Sequence, residues 1–233
     1  VWLRLLAAQS WRGLAGMAVR APAPVWPQGA GITLYRPVLG CTRAELRAEL
    51  QNRRLRWHED LANSDPRYAR SRARQALASN GHGPALLALA RRLRPRIEAV
   101  DAEVQIILPL LQVAEGRLSA PRDRLQALSP AARRRMLALM IAAAGAGRSP
   151  SFDQTQAVVL TVLAGERAAR TVAGARVWST SGAVLAERDP GAVTGRAGVA
   201  PVPPLSLPQH TPAVWDQRLE NTALLPGLQL AVA

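Results

Sequence analysis

An α+β chain, mainly helical, is what this sequence predicts, and three patterns predict it. The longest is a run of apolar residues at helical spacing, comprising Leu86, Leu89, Ala90, Leu93, Ile97, Val100, Val104, Ile107, Leu108 and Leu111, which lines one side of a helix. The second is a set of helix starts, with Thr42 three residues before Glu45, Asp65 before Pro66, and Ser129 before Pro130. Each pairs a side chain that can satisfy free backbone N–H groups with a residue suited to the first turn. The third is a change to alternation after Gly165, where Ala175-Arg176-Val177-Trp178, a turn at 179–182 and Val184-Leu185-Ala186 read as a β-hairpin.

In chain order, Trp2, Leu3, Leu5 and Leu6 around Arg4 read as the end of a helix that stops before Gly13. Between Arg20 and Gly31 the residues Pro22, Pro24, Pro27 and Gly29 predict a loop, and residues 32–38 a short strand that delivers Arg36 to a turn at Pro37. The Thr42 box opens a helix of about ten residues with Leu46 and Leu50 on one face, and Leu55 and Trp57 resume an extended path. Asp65-Pro66 launches a helix to about Ser79 that carries Arg67, Arg70 and Arg74 on one face and Ala69, Ala73, Ala76 and Leu77 on the other. From Pro84 a long helix is expected, kinked near Pro95 and Pro109, followed by helices from Ser129-Pro130 to Ala144 and over 152–163. Residues 84–164 are therefore expected to be a helical unit, and 165–233 a β-hairpin with a tail rich in proline and glycine and a last weak strand near Val214 and Trp215.

The chain carries 30 basic residues against 16 acidic ones, a formal net charge of +14, and every one of those cations is an arginine. A guanidinium fork matches phosphate and stacks on bases, so the surplus suits RNA; codon bias in a GC-rich genome accounts equally for the absence of lysine. The net charge favours a polyanionic partner on either account. A single cysteine, Cys41, excludes a disulfide framework and points to a reducing compartment, the cytoplasm by default. The apolar stretch at 137–146 is too short to span a bilayer, and Arg4 and Arg12 interrupt any signal-peptide core. His58, His82 and His210 lack metal-ligand spacing, and Val1 opens inside an amphipathic pattern, which reads as a start within a longer gene product.

Three stretches carry a resemblance: RGLAGM at 12–17, YRPVLGCTRAEL at 35–46 and WHEDLANSDPRYARSRAR at 57–74. In this order and spacing they resemble the tRNA(Ile)-lysidine synthetases, a family of PP-loop ATPases, and the ARTVAGARVW, ERDPG (187–191) and VWD (214–216) segments continue the likeness. The matching positions are Arg36, Pro37, Arg43, Glu45, Glu59, Asp60, Asn63, Asp65, Tyr68, Arg70 and Arg74.

The resemblance implies that residues 1–80 are the remainder of an α/β nucleotide-binding synthetase domain. It also implies ATP-dependent ligation of lysine to the wobble cytidine of an isoleucine tRNA, with ATP and magnesium as the family's cofactors. Neither the family's Ser-Gly-Gly-x-Asp-Ser loop, which cradles the phosphates, nor its His-x-x-Asp-Asp-Gln-x-Glu-Thr segment occurs in the 233 residues. The expectation is a truncated and diverged relative that binds no nucleotide and is inactive alone. Ala7-Ala8-Gln9-Ser10 replaces the family's Arg-Gly-Ser-Gly, Leu61-Ala62 replaces Pro-Ser, and Ser71 replaces Asn. Arg67, Arg70 and Arg74 are expected to face tRNA; Asp60 and Asn63 are either catalytic or turn-forming, and Trp57 and Tyr68 either stack on bases or are buried. The alternative to a ligase is a non-catalytic RNA-binding or interaction protein derived from that family.

Overall fold

The computed structural model describes residues 11–23, 29–60, 63, 65–165, 168–196, 198, 200–216 and 218–231. The helix expected at 1–9 and the departures at 7–10 and 61–62 lie outside the described residues. The chain mixes helix and sheet and divides into two compact units, residues 1–97 and 98–233.

In the first unit a single helical turn, α1 (Trp11–Leu14), precedes strands β1 (Arg20–Pro22) and β2 (Thr33–Tyr35). The two strands pair antiparallel with Arg20 opposite Tyr35 and Pro22 opposite Thr33. This corrects the loop expected from Arg20 onward, because a proline is tolerated at the end of an edge strand. Helix α2 (Arg43–Asn52) has the expected capping box: the Thr42 hydroxyl accepts the Glu45 N–H at 3.2 Å, and the Glu45 carboxylate accepts the Thr42 N–H at 2.6 Å. Helix α3 (Ala69–Asn80) ends at Gly81, whose φ of 66° is the left-handed cap that glycine adopts without strain. Helix α4 (Gly83–Ile107) contains Pro95 and gives way to a tight 3-10 turn over Leu108–Leu110, where Pro109 cannot supply the N–H that would prolong it.

In the second unit the stretch expected to be wholly helical is interrupted by β3 (Gln112–Ala114) and β4 (Arg117–Pro121). The reason is a two-residue turn: Glu115 and Gly116 both take positive φ, 52° and 71°, the geometry that turns one strand back on the next. Helices α5 (Arg122–Ala127), α6 (Pro130–Ala144) and α7 (Phe152–Val158) follow, the last continuing as a π turn over Val159–Leu163. Strands β5 (Ala169–Val172), β6 (Ala175–Ser179) and β7 (Ala183–Arg188) complete an antiparallel sheet in the order β3-β4-β7-β6-β5. Met136, Leu137, Met140 and Ile141 of α6 are fully buried with Val158, Val162, Val177 and Val184, so the core lies between α6 and one face of the sheet. Alternation on β6 puts Val177 into that core and Arg176 outside it.

The tail is more ordered than its composition suggests. It holds a short helix α8 (Pro190–Val193) and strands β8 (Leu205–Ser206), β9 (Pro212–Trp215), β10 (Leu219–Thr222) and β11 (Gln229–Leu230), paired β9–β10 and β8–β11. Arg188, at the end of β7, fastens it to the sheet. Its Nε and Nη2 donate to the two carboxylate oxygens of Asp216 at 2.8 and 2.9 Å, and its Nη1 donates to the Gly174 carbonyl at 2.9 Å. Both charged side chains are buried, at 7% and 6% exposure. Gly174 has φ +80°, and a Cβ there would lie 2.4 Å from Arg188 Nη1, so the turn before β6 must be glycine. Removing one partner of a buried ion pair leaves a desolvated charge. Asp216→Ala is therefore expected to cost about 3 kcal/mol or more in urea denaturation, and a loss under about 1 kcal/mol would show that the pair holds nothing together.

Candidate functional site: an arginine-lined cleft

Residues 55–60, after α2, are irregular, and Glu59 decides their course. Glu59 accepts hydrogen bonds from Arg43 Nη2 at 2.6 Å, from Arg47 Nη2, and from the Trp57 indole N–H at 2.7 Å. The indole bond first, and then the two arginines, hold the Glu59 carboxyl below the ordinary glutamate range. One carboxylate thus anchors the segment to α2. Trp57 is 38% exposed, so of its two expected readings burial does not hold.

Asp65 was expected to cap a helix beginning at Pro66, and the structure corrects this. Its Oδ1 accepts the Arg67 backbone N–H at 2.9 Å and its Oδ2 the Arg67 Nε at 2.8 Å, while the Tyr68 N–H closes a turn onto the Asp65 carbonyl at 3.2 Å. The turn stands apart because Tyr68 is extended, with φ −87° and ψ 129°, and α3 starts only at Ala69. Arg67 consequently does not share a helical face with Arg70 and Arg74, and its guanidinium pairs with Asp65 at 2.6 Å.

Arg70 and Arg74 lie one turn apart on α3 and open onto a cleft of about 470 Å³ lined by Asp60, Asn63, Tyr68, Ala69, Arg70, Ser71 and Arg74. Asn63, which precedes the helix, is held on it by two bonds. Ser71, 2% exposed, donates its hydroxyl to the Asn63 carbonyl at 3.0 Å, and Arg74 Nη1 donates to Asn63 Oδ1 at 3.1 Å. The Asn63 N–H in turn bonds the Asp60 carbonyl at 3.0 Å, so Asn63 is a turn-forming residue and a brace for Arg74. Tyr68 is 53% exposed at the rim, and Arg70 is exposed with no hydrogen bond or ion pair among the described residues. A cleft with two guanidiniums, a phenol and a carboxylate can hold a phosphate and stack a planar ring.

Of the other signature residues, Arg36 donates to the Ala18 carbonyl at 3.1 Å and Pro37 opens the turn after β2. Arg43, Glu45 and Glu59 are used within the α2 joint. Sequence reasoning missed Arg72, which donates to the Pro66 and Arg67 carbonyls at 2.8 Å each and closes the turn under α3. It also missed Arg94, whose Nη2 donates to the Ala15 and Met17 carbonyls at 2.8 and 2.7 Å and ties the 12–17 motif to α4. Their spacing along the chain is not periodic, so only geometry reveals them. Cys41 is exposed and unpaired, and no group of three or more His, Cys, Asp or Glu residues that could hold a metal occurs among the described residues. No helix among them is long and apolar enough to cross a membrane.

Residues 1–80 match a family model described as a PP-loop domain, and residues 121–185 one described as the TilS substrate binding domain. The chain is similar to the tRNA(Ile)-lysidine synthase of Caulobacter vibrioides, with 36% identity over 203 residues, 87% of this chain and 43% of that protein. It is 30% identical to that of Brucella ovis over 212 residues, 89% of this chain and 45% of that protein. A shorter match, 41% over 75 residues, covers 32% of this chain and 20% of the Hyphomonas neptunium protein of the same name. The chain thus spans less than half the length of these curated relatives.

The Glu59 joint makes a signed pH prediction. Because its folded carboxyl titrates below the unfolded one, the stability it contributes is complete above the unfolded value and is lost as pH falls through the depressed folded value. A carbon-detected NMR titration of the chain is expected to place Glu59 below ordinary glutamates, and Trp57→Phe, which removes the leading donor, to move it upward. A Glu59 titration unchanged by that substitution would remove the indole from the joint.

Proposed function

We propose that this chain is the tRNA-facing part of a tRNA(Ile)-lysidine synthetase, an ATP-dependent ligase that attaches lysine to a wobble cytidine, and that the α3 cleft meets the RNA. The observation that carries this reading is the convergence of Asp60, Asn63, Tyr68, Arg70 and Arg74 on one cleft from a segment whose spacing already resembled that family. The similarity to proteins named tRNA(Ile)-lysidine synthase over 87% of the chain supports it, as do the PP-loop and substrate-binding domain matches.

In this reaction the cytidine carbonyl oxygen attacks the α-phosphate of ATP and releases pyrophosphate. The lysine ε-amino group then attacks the activated ring carbon, loses a proton and expels AMP. The cleft residues serve the RNA side of that chemistry. Arg70, whose donors are unspent, pairs with an RNA phosphate; Arg74, braced by Asn63, takes the next; Tyr68 at the rim stacks on an unpaired base. Among the described residues lining the cleft, Asp60 brings a carboxylate of the charge that an ammonium such as that of the incoming lysine requires. Magnesium belongs to the family's use of ATP, and the described residues hold no cluster that fits it. No Ser-Gly-Gly-x-Asp-Ser sequence occurs in the 233 residues, and ATP is assigned to none of the cleft residues. The reading as a non-catalytic RNA-binding protein would use the same cleft and has no observation in its favour over the ligase.

The test is the salt dependence of tRNA binding, because each neutralised phosphate releases condensed counterion. Arg70→Ala with Arg74→Ala is compared with Arg91→Ala with Arg92→Ala, two exposed arginines on α4 that remove the same charge. The first pair is expected to lower affinity about tenfold or more and to flatten the salt slope by roughly 2, while the second has little effect. Equal weakening by the two pairs would reduce the cleft to a share of the general positive charge.

A further inference from the structure

The five-stranded sheet has a second face. Its core side carries Ala120, Val177, Val184 and Ala186 under the helices, and alternation sends Arg117 of β4, Arg176 and Trp178 of β6, and Glu187 of β7 to the opposite side. There the register brings Trp178 opposite Leu185 and Arg176 opposite Glu187. The guanidinium carbons of Arg117 and Arg176 both lie 5.5 Å from the centroid of the Trp178 ring. Glu187 accepts a hydrogen bond from Arg117 Nε at 3.3 Å and pairs with Arg176 Nη1 at 3.7 Å. The two arginine side chains are 42% and 52% exposed, and the carboxylate between them only 22%.

One carboxylate therefore balances two cations, and it engages few of their donors. Arg117 gives Glu187 one hydrogen bond, and Arg176 stands off at ion-pair distance, so most N–H groups of both forks are left to solvent. A ladder built for stability alone would pair the charges one to one across the strands. Two like charges gathered over one half-buried indole instead make a positively charged surface of guanidinium planes backed by the ring. That chemistry matches a nucleotide whose base is free to stack and whose phosphate accepts forked hydrogen bonds.

Resting on the reading that this chain's partner is RNA, we propose that the Arg117–Trp178–Arg176 face of the sheet is a second RNA contact, which stacks an unpaired base on the guanidinium planes that Trp178 backs and pairs its phosphates with the two arginines. Its residues lie in the second unit and share no element with the α3 cleft.

The test uses the full chain with a fluorescently labelled single-stranded RNA and the duplex form of the same sequence. Trp178→Leu is expected to weaken the single-stranded complex about tenfold and the duplex less than about twofold, while Trp178→Phe, which keeps a stacking ring, retains most of the affinity. Phe152→Leu, an exposed aromatic beside Arg134 away from the sheet, is expected to change neither complex. Arg117→Gln with Arg176→Gln should weaken the single-stranded complex and lower its salt slope, at an unchanged denaturation midpoint. Single-strand binding untouched by Trp178→Leu, or lost equally in the Leu and Phe variants, overturns the platform and leaves the α3 cleft standing. Failure of the unaltered chain to bind any RNA overturns the RNA reading itself, and the platform with it.

Discussion

The joints of this protein depend on guanidinium groups, because the chain has no other cation and each guanidinium brings five donors in a plane. Where a segment leaves regular structure, an arginine gathers the backbone carbonyls that the turn exposes. Arg133 donates to the carbonyls of Leu125, Gln126 and Leu128 and closes the end of α5. Arg94 does the same for Ala15 and Met17, and Arg72 for Pro66 and Arg67. A lysine reaches such a cluster as a point charge on a flexible stem, whereas the fork fixes the angle between its acceptors. Arg188 carries the principle furthest, since it spans a strand end, a glycine turn and a buried aspartate and so holds the tail to the sheet.

That usage sorts the basic residues by what they can still bind. An arginine whose donors are absorbed by carbonyls or a buried carboxylate is part of the scaffold, and its charge is not offered to a ligand. By this criterion Arg188, Arg133, Arg94 and Arg72 are structural, and Arg43, Arg47 and Arg67 are occupied by Glu59 and Asp65. Arg70 remains open, Arg74 is held by one bond to Asn63, and Arg117 and Arg176 share a single carboxylate. The formal charge of +14 therefore overstates the surface available to a polyanion. Acidic residues decide which cations are occupied: Glu59 and Asp65 engage theirs in folding, and Glu187 engages Arg117 and Arg176 only in part.

Much of the local structure was legible because it is written in short-range chemistry. The Thr42–Glu45 box, the Ser129-Pro130 start and the hairpin at 175–188 each depend on residues a few positions apart. The expectations that failed involve competition between local signals. Asp65-Pro66 has the composition of a helix start, but the side chain of Arg67 reaches back to the same carboxylate and stabilises a separate turn, which delays the helix to Ala69. The strands at 112–121 follow the strongest helical period in the chain and were absorbed into it, although the Glu115-Gly116 turn supplies the positive φ that a helix cannot use. The cleft residues were legible through the family spacing, while the arginine clamps elsewhere in the same unit were not, because Arg72 and Arg94 act on carbonyls that carry no sequence signature.

The departure at Ser71 shows how the site tolerates divergence. The family that the motif resembles carries asparagine where this chain has Ser71. In the structure residue 71 faces inward at 2% exposure, away from any partner in solution, and its hydroxyl supplies one hydrogen bond to the Asn63 carbonyl. A buried position of this kind needs a donor of limited volume more than it needs an amide, since an unmatched second polar group would cost more than a missing one. Serine meets that requirement with fewer atoms to satisfy. Asn63 therefore stays docked on α3, with its carbonyl on Ser71 and its side chain on Arg74. The substitution falls on a residue that both lines the cleft and supports it, and serine makes the supporting bond to Asn63.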